Sequence, residues 1–356
     1  MSLYLCVDCG GSKTSAVIAN TAGEIVGRGI GGPSNCTYLS VDAFLAAVRL
    51  AVSDALKTCT TPPSIAPVAL PPPPALAFAK AWLGVSGADS PAAIAAITPG
   101  LAALLGLPPG ARLAVANDTH LLAAPLRLHA DIAHAVAVIG GTGSIAVSLR
   151  GAAGGALAEL GRVGGWGWML GDEGGGFNVG REAVRQVMLA HDRASVQAAP
   201  VRSLLHERLV EWFGLGDIME ILGTVHLADP QAGASVALDA PQYLTVPKEK
   251  RLSMLAPIVF ECAFEHGDEL ALHVLRMAAS NLVDQICVLL GEASEEAPRL
   301  VKAQDSVLCF GGSLVGVERY RKIILDDLAA RGHTFRYVEF VDDCAAVGAH
   351  ALALSA

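Results

Sequence analysis

The sequence predicts an α/β protein of two related halves whose sheets face a common cleft. A β-meander followed by helices occurs twice along the chain, and glycine-rich turns stand at the ends of the candidate strands. Size agrees: 356 residues, at roughly 150 per domain, make about two domains, each long enough to bury a core.

In the first half, Leu3–Val7, Ser15–Ala19 and Ile25–Ile30 are short apolar runs separated by the turns Cys9–Lys13 and Thr21–Glu24. After a loop at 31–35, Ser40 stands as an N-cap before an amphipathic helix carrying Phe44, Leu45, Val48, Val52 and Leu56. Residues 60–75 hold seven prolines and read as a surface loop or extended spacer. Trp82–Val85 is a strand candidate, Ser90-Pro91 opens an Ala-rich helix, and Leu113–Ala116 is a strand that delivers Asn117-Asp118-Thr119. The pattern then restarts with strands at Ala135–Ile139, Ser144–Leu149 and near Ala156–Leu160. From Phe177 to Gly291 the reading is mostly helical, with a loop around 227–246. Ser306–Phe310 and Phe335–Phe340 are late strands, and Asp343 is placed to cap a terminal helix.

Composition excludes several classes. Hydrophobic residues are 53% of the chain and charged ones 17%, against a typical charged share of about 25%, so the chain is not disordered. The mean hydropathy of +0.48 raises the question of a membrane span. The longest charge-free apolar stretch, Ser90 to Gly110, is broken by Pro91, Pro99, Pro108 and Pro109, and no basic region precedes the apolar start, so a soluble protein without a membrane partner is expected. The formal net charge of −9, with no basic block, counts against nucleic acid as a partner. Eight scattered cysteines read as reduced, mostly buried thiols in a cytoplasmic setting, and Cys6-Val-Asp-Cys9 has no second pair at metal-ligand spacing.

The chemistry sits in the glycine turns, whose backbone N–H groups can surround a phosphate that a Cβ would keep at a distance. In Asp8-Cys9-Gly10-Gly11-Ser12-Lys13-Thr14, Lys13 follows Ser12 where a Walker A loop demands glycine, so a hairpin remains, with an acid entering it and hydroxyls leaving. A carboxylate there would repel phosphate unless Mg²⁺ lies between, directly or through water. Gly140-Gly141-Thr142-Gly143-Ser144 partly fits a dinucleotide fingerprint, but Ser144–Leu149 alternates as a strand where that fingerprint needs a helix. Asp118, at a strand tip, is placed to take a proton from a hydroxyl; its alternative role is an N-cap. The run 164–176 interleaves glycines, Trp166, Trp168, Asp172 and Glu173, and aromatic faces edged by carboxylates suit a sugar. Gly311-Gly312-Ser313, between strand and helix, would let a flat base lie on backbone.

Taken in order, DCGGSKT (8–14), NDTHLLAAPL (117–126), VIGGTGS (138–144), GGWGWMLGDEGGG (164–176) and VLCFGGS (307–313) resemble the N-acetyl-D-glucosamine kinases, in the BadF/BadG/BcrA/BcrD ATPase-type group of the actin-like ATPase and sugar kinase superfamily. The resemblance implies two actin-like, ribonuclease H-like domains with a cleft between them: residues 1–128 joined by a returning helix at 344–356, and residues 129–343. It implies ATP and Mg²⁺ as cofactors, an amino sugar as partner, a possible homodimer, and phosphorylation of the sugar 6-hydroxyl. By resemblance, Gly10, Gly11, Ser12, Lys13 and Thr14 form the first phosphate loop with Asp8 near Mg²⁺, and Thr142 and Gly143 the second. Asp118 is the catalytic acid that also holds the sugar. Asn35, Ser144, Ile145, Gly165, Trp166, Gly167 and Asp172 line the sugar site, and Gly311, Gly312 and Ser313 take the adenosine.

This chain departs from that pattern at two places. Ser12 stands where threonine is usual, and Gly175-Gly176-Phe177-Asn178-Val179-Gly180 replaces the common Ser and Trp-Ile-Gly, which bears on sugar choice. The zinc signature CxCGxxGCxE of the repressor/open-reading-frame/kinase (ROK) sugar kinases is missing, and Cys6 and Cys9 sit at the phosphate turn, unsuited to the iron–sulfur cluster of the dehydratase activases. A glucosamine or other hexosamine kinase and a non-catalytic sugar or nucleotide sensor are the competing readings.

Overall fold

The computed structural model describes residues 2–152, 157–197, 202–231, 240–291, 295 and 299–355, and the account that follows is of these. The first half contains β1 (Leu3–Cys9), β2 (Thr14–Ala19), β3 (Ile25–Gly31), α1 (Val41–Ala55), β4 (Phe78–Val85), α2 (Pro91–Leu105), β5 (Leu113–Asn117) and the single helical turn α3 (Thr119–Leu122). The second contains β6 (His134–Gly140), β7 (Ser144–Gly151), β8 (Leu157–Gly164), α4 (Gly176–Gln197), α5 (Leu204–Phe213), α6 (Ile221–Val225), α7 (Lys248–Ser253), α8 (Ala256–Phe264), α9 (Glu269–Leu289), β9 (Ser306–Gly311), α10 (Glu318–Ala330), β10 (Tyr337–Phe340) and α11 (Cys344–Leu354).

The strands form two sheets, ordered β3-β2-β1-β4-β5 and β10-β9-β6-β7-β8. Each begins as an antiparallel meander and then adds parallel strands, β4 and β5 in one and β9 and β10 in the other. The doubled architecture expected from the sequence is therefore present. Parallel addition needs helical crossovers, and capping signals supply the starts of two: Ser40 accepts from the Ala43 N–H and Ser90 from Ala93; Asp343 caps the final helix in the same way, accepting from Ala346. The strand expected near Ala156 begins at Leu157, with Ala156 outside the described residues; so is 232–239 of the expected loop.

The helix predicted after Ser40 buries Phe44, Val48 and Val52 against the first sheet, and Leu56 just beyond it is also buried. It lies directly on β3 because that strand turns glycines toward it. A Cβ on Gly27 would stand 2.2 Å from Ala55 O, one on Gly29 2.1 Å from Ala51 O, and one on Gly31 2.4 Å from Ala47 O. The period of two on the strand thus meets the period of four on the helix. In the proline-rich segment, Ser53 on α1 donates to Val68 O at 2.5 Å. No helix among the described residues is long and apolar enough to cross a membrane. The final helix leaves the second sheet after β10 and packs on the first, where Gly348 passes so close to Cys6 that a Cβ would lie 2.4 Å from its Sγ.

Replacing Gly29 with alanine is expected to cost about 2 kcal/mol of folding stability, because backbone rather than a flexible side chain blocks the added methyl. Gly32→Ala, where the methyl meets open space, is the control. Urea denaturation of both variants checks this; equal midpoints would refute it.

Candidate active site

The site is built on strand ends. β1, β4 and β5 run parallel and in register, with Asp8 opposite Gly84, Cys9 opposite Val85, and Val85 opposite Asn117. Their carboxyl ends, where ligands bind in open α/β sheets, therefore deliver Asp8, Ser86 and Asp118 to one edge. The loop after β3 is tied to the same edge: Ser34 N–H donates to Gly10 O at 2.9 Å and Cys36 N–H to Ser86 O at 3.1 Å. Asn35 Nδ2 donates to Ser86 Oγ at 3.1 Å. Gly87, at φ +84, lets this approach happen, since a Cβ there would lie 2.7 Å from Asn35 Oδ1.

At the start of α3 the side-chain contacts to Thr119 come from Asn117, the residue before Asp118. Asn117 Oδ1 accepts from both the N–H and the hydroxyl of Thr119, at 3.0 and 2.7 Å. Asp118, in the N-cap position, makes no side-chain capping bond. Burial pushes its carboxyl above the ordinary range; the Thr119 N–H and the Ser86 hydroxyl oppose that rise, and the nearby Asp89 adds to it. Asp8 is raised to about 6, first by burial and then by the charge of Asp118, with Lys13 opposing and Asp343 reinforcing. Cys6 and Cys9 are buried free thiols, pushed far up by desolvation, and so unreactive.

On the second sheet the turn between β6 and β7 is closed by Gly141 N–H to Gly143 O at 3.0 Å. It is braced from behind by the start of α4, where the Gly176 N–H donates to Gly141 O at 2.8 Å and the Phe177 N–H to Thr142 O at 3.0 Å. Thr142 is exposed at its tip. Because β9 pairs with β6, Ile139 opposite Gly311, the turn at 311–313 lies beside it; Leu314 N–H donates to Gly140 O at 2.9 Å. Gly312, at φ +103, approaches Gly140 so closely that a Cβ would be 2.7 Å from the carbonyl oxygen. The 164–176 segment folds back on the turn through Asp172, itself at φ +60, whose Oδ1 accepts from Ser144 N–H at 3.3 Å. Gly165 N–H donates to Ser144 O at 3.0 Å. Trp166 is exposed, whereas Trp168 packs edge-on against Phe177 at 5.3 Å.

Two hydroxyls named in the motifs face inward. Thr14 is buried; its hydroxyl donates to Gly32 O and shares a hydrogen bond with the Ser34 hydroxyl, both at 2.7 Å, closing the first loop. Ser144 is buried and donates to Glu173 O at 2.6 Å, with Gln285 Nε2 on the same oxygen at 2.6 Å. The two sheets meet across the site through the Arg162–Asp89 ion pair at 3.1 Å and through Leu122, whose side chain lies against Gly311. Ser86, Asp89, Arg162, Gln285 and Lys250, whose Nζ stands 3.4 Å from Thr142 Oγ1, were not foreseen. Only Ser86 carried a sequence signal, as the residue after a strand that ends beside β1.

A family profile matches residues 5–334. The chain belongs to the BadF/BadG/BcrA/BcrD ATPase family. Its ATP use follows from that membership. A curated relative, the N-acetyl-D-glucosamine kinase of Dictyostelium discoideum, is 25% identical over 336 residues, covering 92% of this chain and 89% of the relative. Solved structures from Chromobacterium violaceum and Porphyromonas gingivalis, provisionally assigned as N-acetylglucosamine kinases, align over 99% of this chain and 99% of theirs. Their TM-scores are 0.58 and 0.59, at 21% and 19% identity, and they establish a shared fold. A ROK-family transcriptional regulator shares that fold at TM-score 0.54 and 14% identity, aligning over 99% of this chain and 78% of its own.

The raised carboxyl of Asp8 has a measurable consequence for this family member. The folded state holds its proton to higher pH than the unfolded chain does, so the contribution of Asp8 to stability is complete below about pH 4 and is lost as pH rises through about 6. Asp8→Asn, which mimics the neutral form, is expected to gain on the order of 2 kcal/mol over the parent between pH 4 and pH 7. Denaturation of both proteins in EDTA measures it; a parent–variant difference that does not change with pH would show that Asp8 titrates normally.

Proposed function

We propose that this chain transfers the γ-phosphoryl group of ATP to the 6-hydroxyl of N-acetyl-D-glucosamine, giving N-acetylglucosamine 6-phosphate and ADP. The observation that carries this is the Asp118 carboxylate. It stands at a strand end beside Ser86 and Asn35, free of capping duty, with desolvation moving it toward the pKa a general base wants. Kinship with the Dictyostelium kinase supports the choice of sugar.

In this reading Asn35 and the 165–172 loop, with Trp166 and Asp172, hold the sugar in the cleft, and Asp118 accepts a hydrogen bond from its 6-hydroxyl. As that oxygen bonds to the γ-phosphorus and the bond to the β-phosphate bridge oxygen breaks, the proton passes to Asp118. The turn amides at 11–13 and 142–143 and the Thr142 hydroxyl hold the phosphates, while the Gly10 and Gly141 N–H groups close the two turns; Gly311–Ser313 take the adenosine. Positioning and charge stabilisation are most of what phosphoryl transfer requires. Residues 1–128 with 344–356, and 129–343, are the two bodies that close on the substrates.

The donor set at Asp8 suits a hard divalent cation. Its carboxylate feels Asp118 and Asp343, and only Lys13 opposes them. Among the described residues no three His, Cys, Asp or Glu side chains gather into a metal cage. Mg²⁺ would therefore rest on Asp8, through water, and on the nucleotide's own oxygens, the usual coordination for this ion beside phosphates. When bound it supplies charge neutralisation on the transferring group.

The sensor reading predicts no turnover, and the hexosamine reading predicts comparable kcat/KM on glucosamine. A coupled assay over a panel of amino sugars separates all three. Asp118→Asn is expected to lower kcat by roughly 10²- to 10⁴-fold while the sugar Kd, from calorimetry, stays within a few-fold of the parent. Near-parent turnover would remove Asp118 from the role of base.

A further inference from the structure

The phosphate turn at 140–144 has no fixed positive charge of its own. The N–H groups at the start of α4, which would ordinarily attract an anion, are engaged by the carbonyls of Gly141 and Thr142. They shape the turn and do not face a ligand. A nucleotide's terminal phosphates carry several negative charges, and the protein as a whole carries −9. A side-chain cation at this turn would add to the neutralisation a metal ion gives, and α7 carries one there.

α7 is only six residues long, but it is held rigidly. Its Arg251 is buried, and the guanidinium donates to five backbone carbonyls: Tyr243 at 2.9 Å, Thr224 at 3.3 Å, Leu227 at 2.9 Å, Ala228 at 3.4 Å and Val246 at 3.3 Å. On its other side α7 touches α4 backbone to backbone, since a Cβ on Gly180 would lie 1.9 Å from Leu252 O. The residue before Arg251 is Lys250, an exposed lysine whose Nζ stands 3.4 Å from Thr142 Oγ1. No carboxylate among the described residues forms an ion pair with it.

An idle surface lysine would make the same long contact by chance. Three features distinguish this one: it is unpaired in an acidic protein, its helix is locked by a buried arginine, and it reaches the one exposed hydroxyl of the phosphate turn. We propose that Lys250 binds the terminal phosphates of the nucleotide seated on the Thr142 turn, which rests on the kinase reading above. The ammonium turns from the Thr142 hydroxyl to the phosphate oxygens, leaving that hydroxyl as a second donor to the same group.

The test compares the parent with Lys250→Met and Lys250→Arg, using ATP, ADP and AMP as probes in calorimetry alongside steady-state kinetics. Lys250→Met is expected to weaken ATP binding about tenfold, ADP less, and AMP and the sugar not at all, with an unchanged melting temperature. Lys250→Arg is expected to recover most of the loss. A merely structural lysine would weaken all three nucleotides alike and lower the melting temperature, and that pattern overturns the proposal. So does a Lys250→Met protein with ATP affinity and kcat within twofold of an active parent, which leaves the kinase reading standing. A parent that neither binds nor turns over ATP overturns both.

Discussion

Three parallel strands that finish at one level govern the site. The registers of β1 on β4 and β4 on β5 bring Asp8, Ser86 and Asp118 to a single edge from positions far apart in the chain. That edge is half-buried, which is what makes the carboxylates useful and also what makes them costly. Desolvation raises both, and Asp118 raises Asp8 further. Burial together with a like-charged partner is the environment in which acids and bases are tuned at functional sites. Ser86 tempers the cost: its hydroxyl favours the ionised form of Asp118 while its oxygen accepts from Asn35.

The second sheet meets a different constraint, a turn that must be open in front and firm behind. Gly175 lies against the backbone of Gly143, Asp172 accepts from Ser144 N–H, and Gln285 holds the Glu173 carbonyl. The loop proposed for the sugar and the turn proposed for phosphate are therefore one packed unit. Interiors packed at this density do not deform continuously. The 165–172 loop thus bears on Ser144 and Gly143, the residues next to Thr142.

Much of this was legible in local signals. The meanders are bounded by glycine turns, and Ser40, Ser90 and Asp343 announce helix starts that the structure keeps, because capping depends on residues within one turn. Motifs also revealed which residue types lie at the strand ends. They did not reveal side-chain direction, so Thr14 and Ser144 read as ligand contacts although their hydroxyls close loops. Nor did they show that Asn117 Oδ1 takes up the Thr119 N–H at the start of α3. Gln285 and Lys250 come from helices far away in sequence, and nothing local marks them, since tertiary packing alone brings them to the turn; the Asp89 partner of Arg162 is likewise distant in the chain.

The two halves meet through two contacts of unequal strength. At one end Leu122 and Leu126, nearly inaccessible, pack with Ala135, Val147, Leu149 and Val307 in an apolar cluster shared by both halves. Each such leucine contributes about 1.5–3 kcal/mol by leaving water, and separating the sheets there would expose them together. At the other end the link is the Arg162–Asp89 ion pair, with side chains 36% and 54% exposed. An exposed pair of that kind contributes about 0–1 kcal/mol. Asp89 also accepts from Asn117 at 3.0 Å, so this weak link sits one residue from Asp118 and beside the 165–172 loop. The weaker of the two links therefore lies beside Asp118, and the stronger is the apolar cluster that Leu122 and Leu126 share with the second half.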